Sequence, residues 1–239
     1  HEMIDLMGNK SKAKETMKKA GVPVIQGSEG DLQSVEQAIE IAKQIHYPVI
    51  LKAAAGGGGK GIRIVYNEGE LRKAYELVKQ EAKSSFNDDR IYLEKFIENP
   101  RHIEIQVVAD ELGNVYTLGE RDCSVQRNHQ KVLEETPSAI LSQKTREKMQ
   151  KVVKNAIEKI GYTNVGTIEF LVDKNQEFYF MEMNTRLQVE HPVTEAVTGV
   201  DLVKEQIRIA SQMPLSFAGE KIQFDGHSME CRVNAENPE

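Results

Sequence analysis

Residues 47–66 read YPVILKAAAGGGGKGIRIVY, a β-rich run followed by a glycine loop and then by a second β-rich run. The first run, Tyr47 to Ala53, predicts a buried strand because Val, Ile and Leu are frequent in it. The second run, Ile62 to Tyr66, predicts another strand. Consecutive glycines weaken a strand through backbone entropy, but they let backbone N–H groups approach phosphate oxygens closely. The stretch therefore favours a phosphate-binding loop between two strands over a flexible surface turn.

Other nucleotide-binding loops fit the residues around the glycines poorly. Gly56, Gly58 and Gly61 satisfy G-x-G-x-x-G, but a dinucleotide-binding fold needs a helix next, and strand-forming residues follow instead. A P-loop needs Ser or Thr after its lysine, whereas Gly61 follows Lys60. A protein-kinase loop is disfavoured because the sequence has neither H-R-D nor D-F-G, and because Lys52 precedes the loop.

Outside this stretch, the periodicity of the apolar residues predicts both helices and strands. Helices are predicted for residues 34–45, 71–82, 145–160 and 202–210. Strands are predicted for residues 91–97, 102–108, 115–120, 167–172, 177–183 and 229–233, with a turn at 173–176. Because short turns join neighbouring strands, the predicted fold class is α+β with mostly antiparallel sheets.

The composition is that of a soluble globular protein. Of the 239 residues, 39% are hydrophobic and 28% are charged, and the net charge is -6. This charge disfavours nucleic acid and anionic membrane as partners, and no apolar run is long enough to span a bilayer, so we expect a cytoplasmic protein. Cys123 and Cys231 match no metal-ligand spacing, and we expect reduced thiols rather than a disulfide between them.

The hairpin predicted for residues 167–183 carries two glutamates. A turn with an even number of residues places Thr167 opposite Glu182 and Glu169 opposite Phe180, so that Glu169, Glu182 and Asn184 share a face. Diagonal neighbours on such a face lie roughly 7 to 8 Å apart. Two carboxylates at this spacing can converge on Mg²⁺, which prefers oxygen ligands. The alternative is that both glutamates face solvent.

Three sequence motifs together resemble biotin carboxylases. They are EMNTRLQVEHPVTE at 182–195, AAAGGGGKG at 53–61 and DCSVQRNHQK at 122–131. The pattern of the first motif fits neither helix nor strand packing. The match runs from Met3 through the rest of the chain, and the single-function bacterial subunit of acetyl-CoA carboxylase is most similar. Pyruvate and propionyl-CoA carboxylases carry similar modules, and a carbamoyl phosphate synthetase module is a further alternative.

The resemblance implies an ATP-grasp fold, in which two α/β subdomains with mostly antiparallel sheets clasp ATP. It implies an N-terminal helical linker at residues 1–23, a lid subdomain at 24–96 and a metal- and substrate-binding subdomain at 97–239. The family extends beyond both ends of this sequence, so we expect a part of a longer protein. This part is expected to bind Mg-ATP but to carboxylate free biotin poorly.

The implied activity is that of a ligase, the ATP- and Mg²⁺- (or Mn²⁺-) dependent carboxylation of biotin by bicarbonate through carboxyphosphate. This is the first half-reaction of acetyl-CoA carboxylase in fatty acid synthesis. The implied partners are biotin carboxyl carrier protein, a carboxyltransferase and a second copy of the full-length chain. The alternative from a different class is a nucleotide-binding regulatory module without chemistry of its own.

The resemblance also implies roles for individual residues. The implied ATP contacts are Lys10, Lys52, Gly58, Gly59, Glu94, Lys95, Ile97, His102, Gln126 and His129. The implied magnesium ligands are Glu169 and Glu182, with Asn184 as an accessory ligand. The implied bicarbonate pocket consists of Lys131, Arg186, Gln188 and Val189. Among the catalytic residues Lys131, Arg186, Glu190 and Arg232, Glu190 is the implied base, and Arg232 stabilises the biotin enolate.

Overall fold

The computed structural model of the chain describes residues 1–54, 61–128 and 130–235. For residues 10 and 11 it describes the backbone but not the side chains. The helices are α1 (Glu2–Gly8), α2 (Lys10–Ala20), α3 (Val35–Ile45), α4 (Glu68–Phe86), α5 (Gln143–Ile160), α6 (His191–Thr198) and α7 (Leu202–Ala210). The strands are β1 (Val49–Ala53), β2 (Ile62–Val65), β3 (Ile91–Lys95), β4 (Arg101–Ala109), β5 (Val115–Arg127), β6 (Gln130–Thr136), β7 (Asn164–Val172), β8 (Phe178–Asn184) and β9 (Ser228–Cys231). Two compact units result, Ile25–Glu98 and a larger one of His1–Val24 with Asn99–Glu239.

The smaller unit is a three-stranded antiparallel sheet, in the order β2-β1-β3, packed with α3 and α4. Helix α3 begins after Ser34, whose hydroxyl accepts a hydrogen bond from Gln37 N, and it buries Ala38, Ile39 and Ala42 on one side. Helix α4 is longer than the predicted 71–82 because the Asn67 side chain caps its start and a left-handed Asn87 ends it.

The larger unit is built on a six-stranded antiparallel sheet in the order β8-β7-β4-β5-β6-β9. Helices α2 and α5 pack on one face, where Met17 and Met149 join Ile103 and Ile105 in a buried cluster. On the same strand Glu104 is fully buried, and alternation turns its side chain to the opposite face. The predicted linker of residues 1–23 forms α1 and α2 and contributes to this core.

Two parts of the larger unit differ from the secondary structure predicted for them. The strand predicted for residues 115–120 continues as β5 to Arg127, and β6 follows it, so the motif at 122–131 is a strand pair. The polar run at 182–195 is not wholly irregular, since it ends in α6, whose first turn contains Pro192. In the described part of the chain, no helix has the length and hydropathy that a bilayer span requires.

The predicted register of the β7–β8 hairpin is wrong because its turn is one residue longer. Asp173 Oδ1 accepts hydrogen bonds from the backbone N–H groups of Asn175 at 2.8 Å and Glu177 at 2.9 Å. These bonds close a connection in which Val172 pairs with Phe178, where the prediction paired it with Glu177.

A β-bulge after Glu169 shifts the hairpin register once more. Glu169 consequently lies opposite Glu182 rather than Phe180, and Thr167 lies opposite Asn184 rather than Glu182. Side chains directly opposite one another are closer than diagonal ones, with Cα atoms roughly 4.5 to 5.5 Å apart. The two glutamates still share a face with Asn184, and they are nearer to each other than predicted.

Candidate active site

A cavity of about 730 Å³ lies in the larger unit, above the sheet face to which Glu104 and Glu169 point. Many of the residues for which the resemblance implies roles line it. They are His102, Gln126, Lys131, Glu169, Glu182, Asn184, Arg186, Gln188, Val189, Glu190 and Arg232. Strands β4 to β8, the loop before α6 and the segment after β9 supply these side chains.

Lys131 is the cation that joins the buried carboxylates of the cavity. Its Nζ donates to Glu104 Oε2 at 2.6 Å, Glu190 Oε1 at 2.7 Å and Glu169 Oε1 at 3.1 Å. Burial by itself lowers the pKa of Lys131, but the negative charge around it, that of Glu104 above all, raises the pKa well above its ordinary value. Lys131 is therefore a positively charged group at neutral pH, and it lines the cavity.

Glu169 accepts hydrogen bonds from three side chains and lies beside a fourth. Its Oε1 accepts from Gln188 Nε2 at 2.8 Å, Asn184 Nδ2 at 2.9 Å and Lys131 Nζ. His102 Nε2 lies 2.7 Å from Glu169 Oε2. Burial raises the pKa of Glu169, but His102 and Lys131 outweigh burial and lower the pKa to about 2. Glu169 is thus a carboxylate throughout the neutral range.

The side-chain oxygens of Glu169, Glu182 and Asn184 are ligands that suit a hard divalent cation. The two carboxylates lie opposite each other across β7 and β8, and the Asn184 amide is within hydrogen-bond distance of Glu169. Rotation of that amide would present its oxygen. A second group, His102, Glu104 and Glu169, has ligand atoms within 4.8 Å of one another, but its imidazole suits Mg²⁺ less well.

Glu190 is the N-cap residue of α6 and faces two cations. Its Oε1 accepts from Lys131, and its Oε2 accepts from Arg232 Nη2 at 3.0 Å. The side chain is 3% exposed, so this carboxylate is held at the wall of the cavity between fixed charges. A carboxylate in this place can take a proton from a small anion that the same cations attract.

The four residues of the implied bicarbonate pocket line the cavity but differ in exposure. Arg186 is exposed, and its Nη2 donates to Asn184 Oδ1 at 3.2 Å. Val189 is also exposed. Gln188 is buried, and both ends of its amide have protein partners, Glu169 and Arg121. Arg186 and Lys131 therefore supply the positive charge, while Gln188 holds the wall in place.

Two buried residues that support the site, Arg121 and Glu104, were not predicted from the sequence. Arg121 on β5 is fully buried and donates to Glu104 Oε1 at 2.5 Å and to Gln188 Oε1 at 3.1 Å. Glu104 is fully buried between Arg121 and Lys131, whose charges lower its pKa against the effect of burial. The available signal was a charged residue between apolar neighbours in one strand, Glu104 between Ile103 and Ile105, since a buried charge needs a partner.

Three of the nucleotide contacts implied for the smaller unit, Lys52, Glu94 and Lys95, lie on its sheet. Lys52 Nζ pairs with Glu94 Oε2 at 2.8 Å across β1 and β3. Lys95 Nζ donates to the backbone carbonyls of His46 and Tyr47, and Ile97 follows β3, half-buried. Gly58, Gly59 and His129 lie outside the described residues, as does the side chain of Lys10.

Comparison with known proteins gives the class of this protein. Residues 9–218 match the family model described as "Carbamoyl-phosphate synthase L chain, ATP binding domain". The chain belongs to this family, and it has the ATP-grasp fold. The predicted fold class and the resemblance to biotin carboxylases are confirmed.

Individual relatives are similar over nearly the whole chain. "Biotin carboxylase 1" of Bacillus subtilis is 55% identical over 99% of this chain and 53% of its own length. A solved biotin carboxylase component of pyruvate carboxylase is 55% identical, with a TM-score of 0.83, over 99% of this chain and 52% of its own. A solved structure from Hydrogenobacter thermophilus is 55% identical, with a TM-score of 0.84, and covers 99% of this chain and 52% of its own. It is a biotin carboxylase domain dimer of 2-oxoglutarate carboxylase with MgADP, ADP and bicarbonate. The chain thus spans about half the length of these relatives.

Proposed function

We propose that this protein is a biotin carboxylase, which uses ATP to place the carboxyl group of bicarbonate on biotin. The observation that carries the proposal is the buried carboxylate of Glu190, held between Lys131 and Arg232 at the wall of the cavity. A base flanked by two cations suits a small anion that must be both bound and deprotonated. The solved relative with MgADP and bicarbonate supports the same substrates.

In the proposed first step, Glu190 takes the proton of bicarbonate. The bicarbonate oxygen then attacks the terminal phosphorus of ATP, the bond from that phosphorus to ADP breaks, and carboxyphosphate forms. Lys131 and Arg186 hold the anion and offset its charge. Carboxyphosphate breaks down to carbon dioxide and phosphate, and the phosphate takes the N–H proton of the biotin ureido group. The resulting nitrogen anion attacks the carbon dioxide. Arg232 stabilises the negative charge that develops on biotin.

Glu169, Glu182 and Asn184 are the proposed ligands of Mg²⁺ or Mn²⁺, which neutralises phosphate charge when bound with ATP. His102 and Gln126 are proposed nucleotide contacts, and Gln126 Nε2 lies 2.9 Å from His102 Nδ1. The resemblance supports the same role for Lys10, Lys52, Gly58, Gly59, Glu94, Lys95, Ile97 and His129.

The first test is calorimetric titration of Mg-ATP into the protein and into Glu182→Ala. We expect saturable binding by the parent and at least about tenfold weaker binding by the variant, because one of two facing carboxylates is lost. Glu177→Ala is the matched control, since this glutamate belongs to the same hairpin but lies in its exposed turn. Equal affinity of Glu182→Ala and the parent would contradict the metal assignment.

The second test concerns the base. Glu190→Gln keeps the shape of the side chain but cannot take a proton, so bicarbonate-dependent ATP turnover by the full-length protein should fall by about 100-fold or more. The affinity for Mg-ATP should stay within about twofold, since Glu190 is assigned to the proton and not to the nucleotide. Undiminished turnover would exclude Glu190 as the base. A folded parent that binds ATP without any turnover would favour a nucleotide-binding module.

The family model favours one rival, because its description names carbamoyl-phosphate synthase. Such an enzyme shares bicarbonate activation but passes the carboxyl group to ammonia. Arg232 beside Glu190 favours biotin, since it adds a cation at the position where an acceptor anion forms. ATP turnover that ammonium stimulates and biotin does not would establish the rival instead.

The proposed acceptor in the cell is the biotin of biotin carboxyl carrier protein. A carboxyltransferase then completes the reaction. We also propose that the full-length chain forms a dimer. Assignment to acetyl-CoA carboxylase and fatty acid synthesis is one version of this proposal. The equal identities to a "Biotin carboxylase 1" and to the biotin carboxylase component of a pyruvate carboxylase support a shared first half-reaction. Reconstitution with acetyl-CoA, pyruvate or propionyl-CoA carboxyltransferases tests which version holds.

A further inference from the structure

Glu134 is a buried carboxylate to which the motifs assign no role. It lies on β6, is 0% exposed and pairs in register with Glu230 of β9. Arg232 follows β9, and its backbone N–H donates to the carbonyl of Val132 on the same strand as Glu134. The two side chains therefore meet on one side of the β6–β9 pair, at the edge of the cavity.

The contacts of Glu134 are concentrated on one cation. Arg232 Nε donates to Glu134 Oε1 at 2.7 Å, and Arg232 Nη2 lies 2.7 Å from the same oxygen. Arg232 Nη2 also donates to Glu190 Oε2 at 3.0 Å. Among the described residues, Glu134 Oε2 has no hydrogen-bond partner. Arg232 is thus clamped between two carboxylates, of which Glu134 holds the guanidinium by two nitrogens.

Simple stabilisation of the fold explains this arrangement poorly. Burial of a carboxylate is costly unless its charge is paired and its oxygens are satisfied, and here one oxygen lacks a partner among the residues described. Burial raises the pKa of Glu134, and the neighbouring charges of Glu190 and Glu230 raise it further. The positive charge of Arg232 opposes these effects and lowers the pKa of Glu134.

We propose that Glu134 is a positioning residue that fixes the guanidinium of Arg232 so that its remaining nitrogen faces the carboxyl acceptor. Nε and Nη2 are occupied by Glu134 and Glu190, and Nη1 has no partner in the described part of the chain. Arg232 and Glu190 both line the cavity, so Nη1 is the donor that can meet an anion there. The inference rests on the proposed function, in which that anion is deprotonated biotin.

The kinetic test uses Glu134→Gln in the full-length protein, with Glu135→Gln as the matched control. Glu135 is the next residue of β6, and its partner is His227 instead of Arg232. We expect Glu134→Gln to lower biotin-stimulated ATP turnover by about 10- to 100-fold, while the KM for ATP stays within about twofold. Glu135→Gln should stay within about twofold in both respects. An unchanged biotin-stimulated rate in folded Glu134→Gln would overturn the proposal.

A double-mutant cycle separates positioning from general damage to the fold. If Glu134 acts through Arg232, Glu134→Gln should change the rate by less than about twofold in the Arg232→Gln background. A full effect in that background would show that Glu134 acts otherwise. Glu134→Asp keeps the charge and should recover part of the rate, and it replaces Glu134→Gln in the cycle if the latter does not fold.

A spectroscopic measurement is independent of turnover. The Nε–H signal of Arg232, assigned by its loss in Arg232→Lys, should exchange with solvent about tenfold or more faster in Glu134→Gln, because its acceptor loses its charge. Unchanged exchange would contradict the clamp. If the parent lacks biotin-stimulated turnover but shows the protected signal, the proposed function fails while the contact between Glu134 and Arg232 is upheld.

Discussion

Arg121 connects several of the elements that form the site. Its three donor nitrogens reach side chains on β4, β7, α6 and the loop before α6, and no part of it is exposed. The acceptors are Glu104 at 2.5 Å, Gln106 at 2.7 Å, Thr194 at 2.9 Å, Gln188 at 3.1 Å and Thr167 at 3.3 Å. A rigid guanidinium with five N–H donors suits such a set better than a lysine.

Replacement of Arg121 by methionine should lower the free energy of unfolding by about 3–5 kcal/mol, because it leaves Glu104 buried with Lys131 alone. Urea unfolding at neutral pH measures the change. Arg146→Met is the control, since Arg146 also pairs with a buried glutamate, Glu120 at 2.7 Å, but is itself 20% exposed. The control should lose less, about 1–3 kcal/mol, because Arg146 is partly exposed and water can reach the pair from that side. Equal losses would show that the network around Arg121 is worth no more than an ordinary pair.

At the scale of elements, Asp110 organises the turn between β4 and β5. Its Oδ1 accepts from the backbone N–H groups of Leu112 at 3.0 Å and Asn114 at 2.9 Å. Its Oδ2 accepts from Asn114 Nδ2 at 2.7 Å and from Leu215 N at 3.1 Å. Burial raises the pKa of Asp110, but these donors outweigh burial and lower it below the ordinary value. The folded state therefore stabilises the charged form of Asp110.

Asp110→Asn should lower the free energy of unfolding by about 1–3 kcal/mol at neutral pH, since an amide NH₂ would face N–H donors. Because the folded pKa is lowered, the stabilisation is present above the unfolded pKa and is lost as the pH falls through the folded pKa. The difference between parent and variant in urea unfolding should therefore shrink in acid. Asp173→Asn is the control, because the donors described for Asp173 reach Oδ1, which asparagine retains.

At the scale of the whole molecule, the unit Ile25–Glu98 has a core made of its own residues. Leu51 is at its centre, fully buried on β1 and paired in register with Arg63 of β2 and Leu93 of β3. Residues of α3 and α4 complete the same cluster. A unit with its own core can open as a cooperative unit without the unfolding of other parts.

Leu51→Ala should destabilise this unit by about 2–5 kcal/mol, through lost burial and a residual cavity. Amide hydrogen exchange should show faster exchange throughout Ile25–Glu98, with much smaller changes in β4 and β7. Leu77→Ala is the control, since Leu77 on α4 is 55% exposed and should have little effect. Equal acceleration in β4 and β7 would indicate that the chain unfolds as one cooperative unit.

The register of the β7–β8 hairpin shows where sequence reasoning is insufficient. The two strands and the turn residues were predicted from local patterns, and each was found. The pairing was not, because a side-chain hydrogen bond of Asp173 lengthens the turn and a bulge after Glu169 adds a residue to β8. A face carrying Glu169, Glu182 and Asn184 was still predicted, since a shift by two residues preserves the side of the strand.

The sequence by itself determined the α+β class, the resemblance to biotin carboxylases and the residues of the polar run, because these depend on residues close together in the chain. The tertiary structure decided the roles of Arg121, Glu104 and Glu134. Lys131 meets Glu104 across 27 residues, and Arg232 meets Glu134 across 98. The physical reason is that a charged residue in a strand can be buried only where the fold brings a partner to it, and its local sequence does not name that partner.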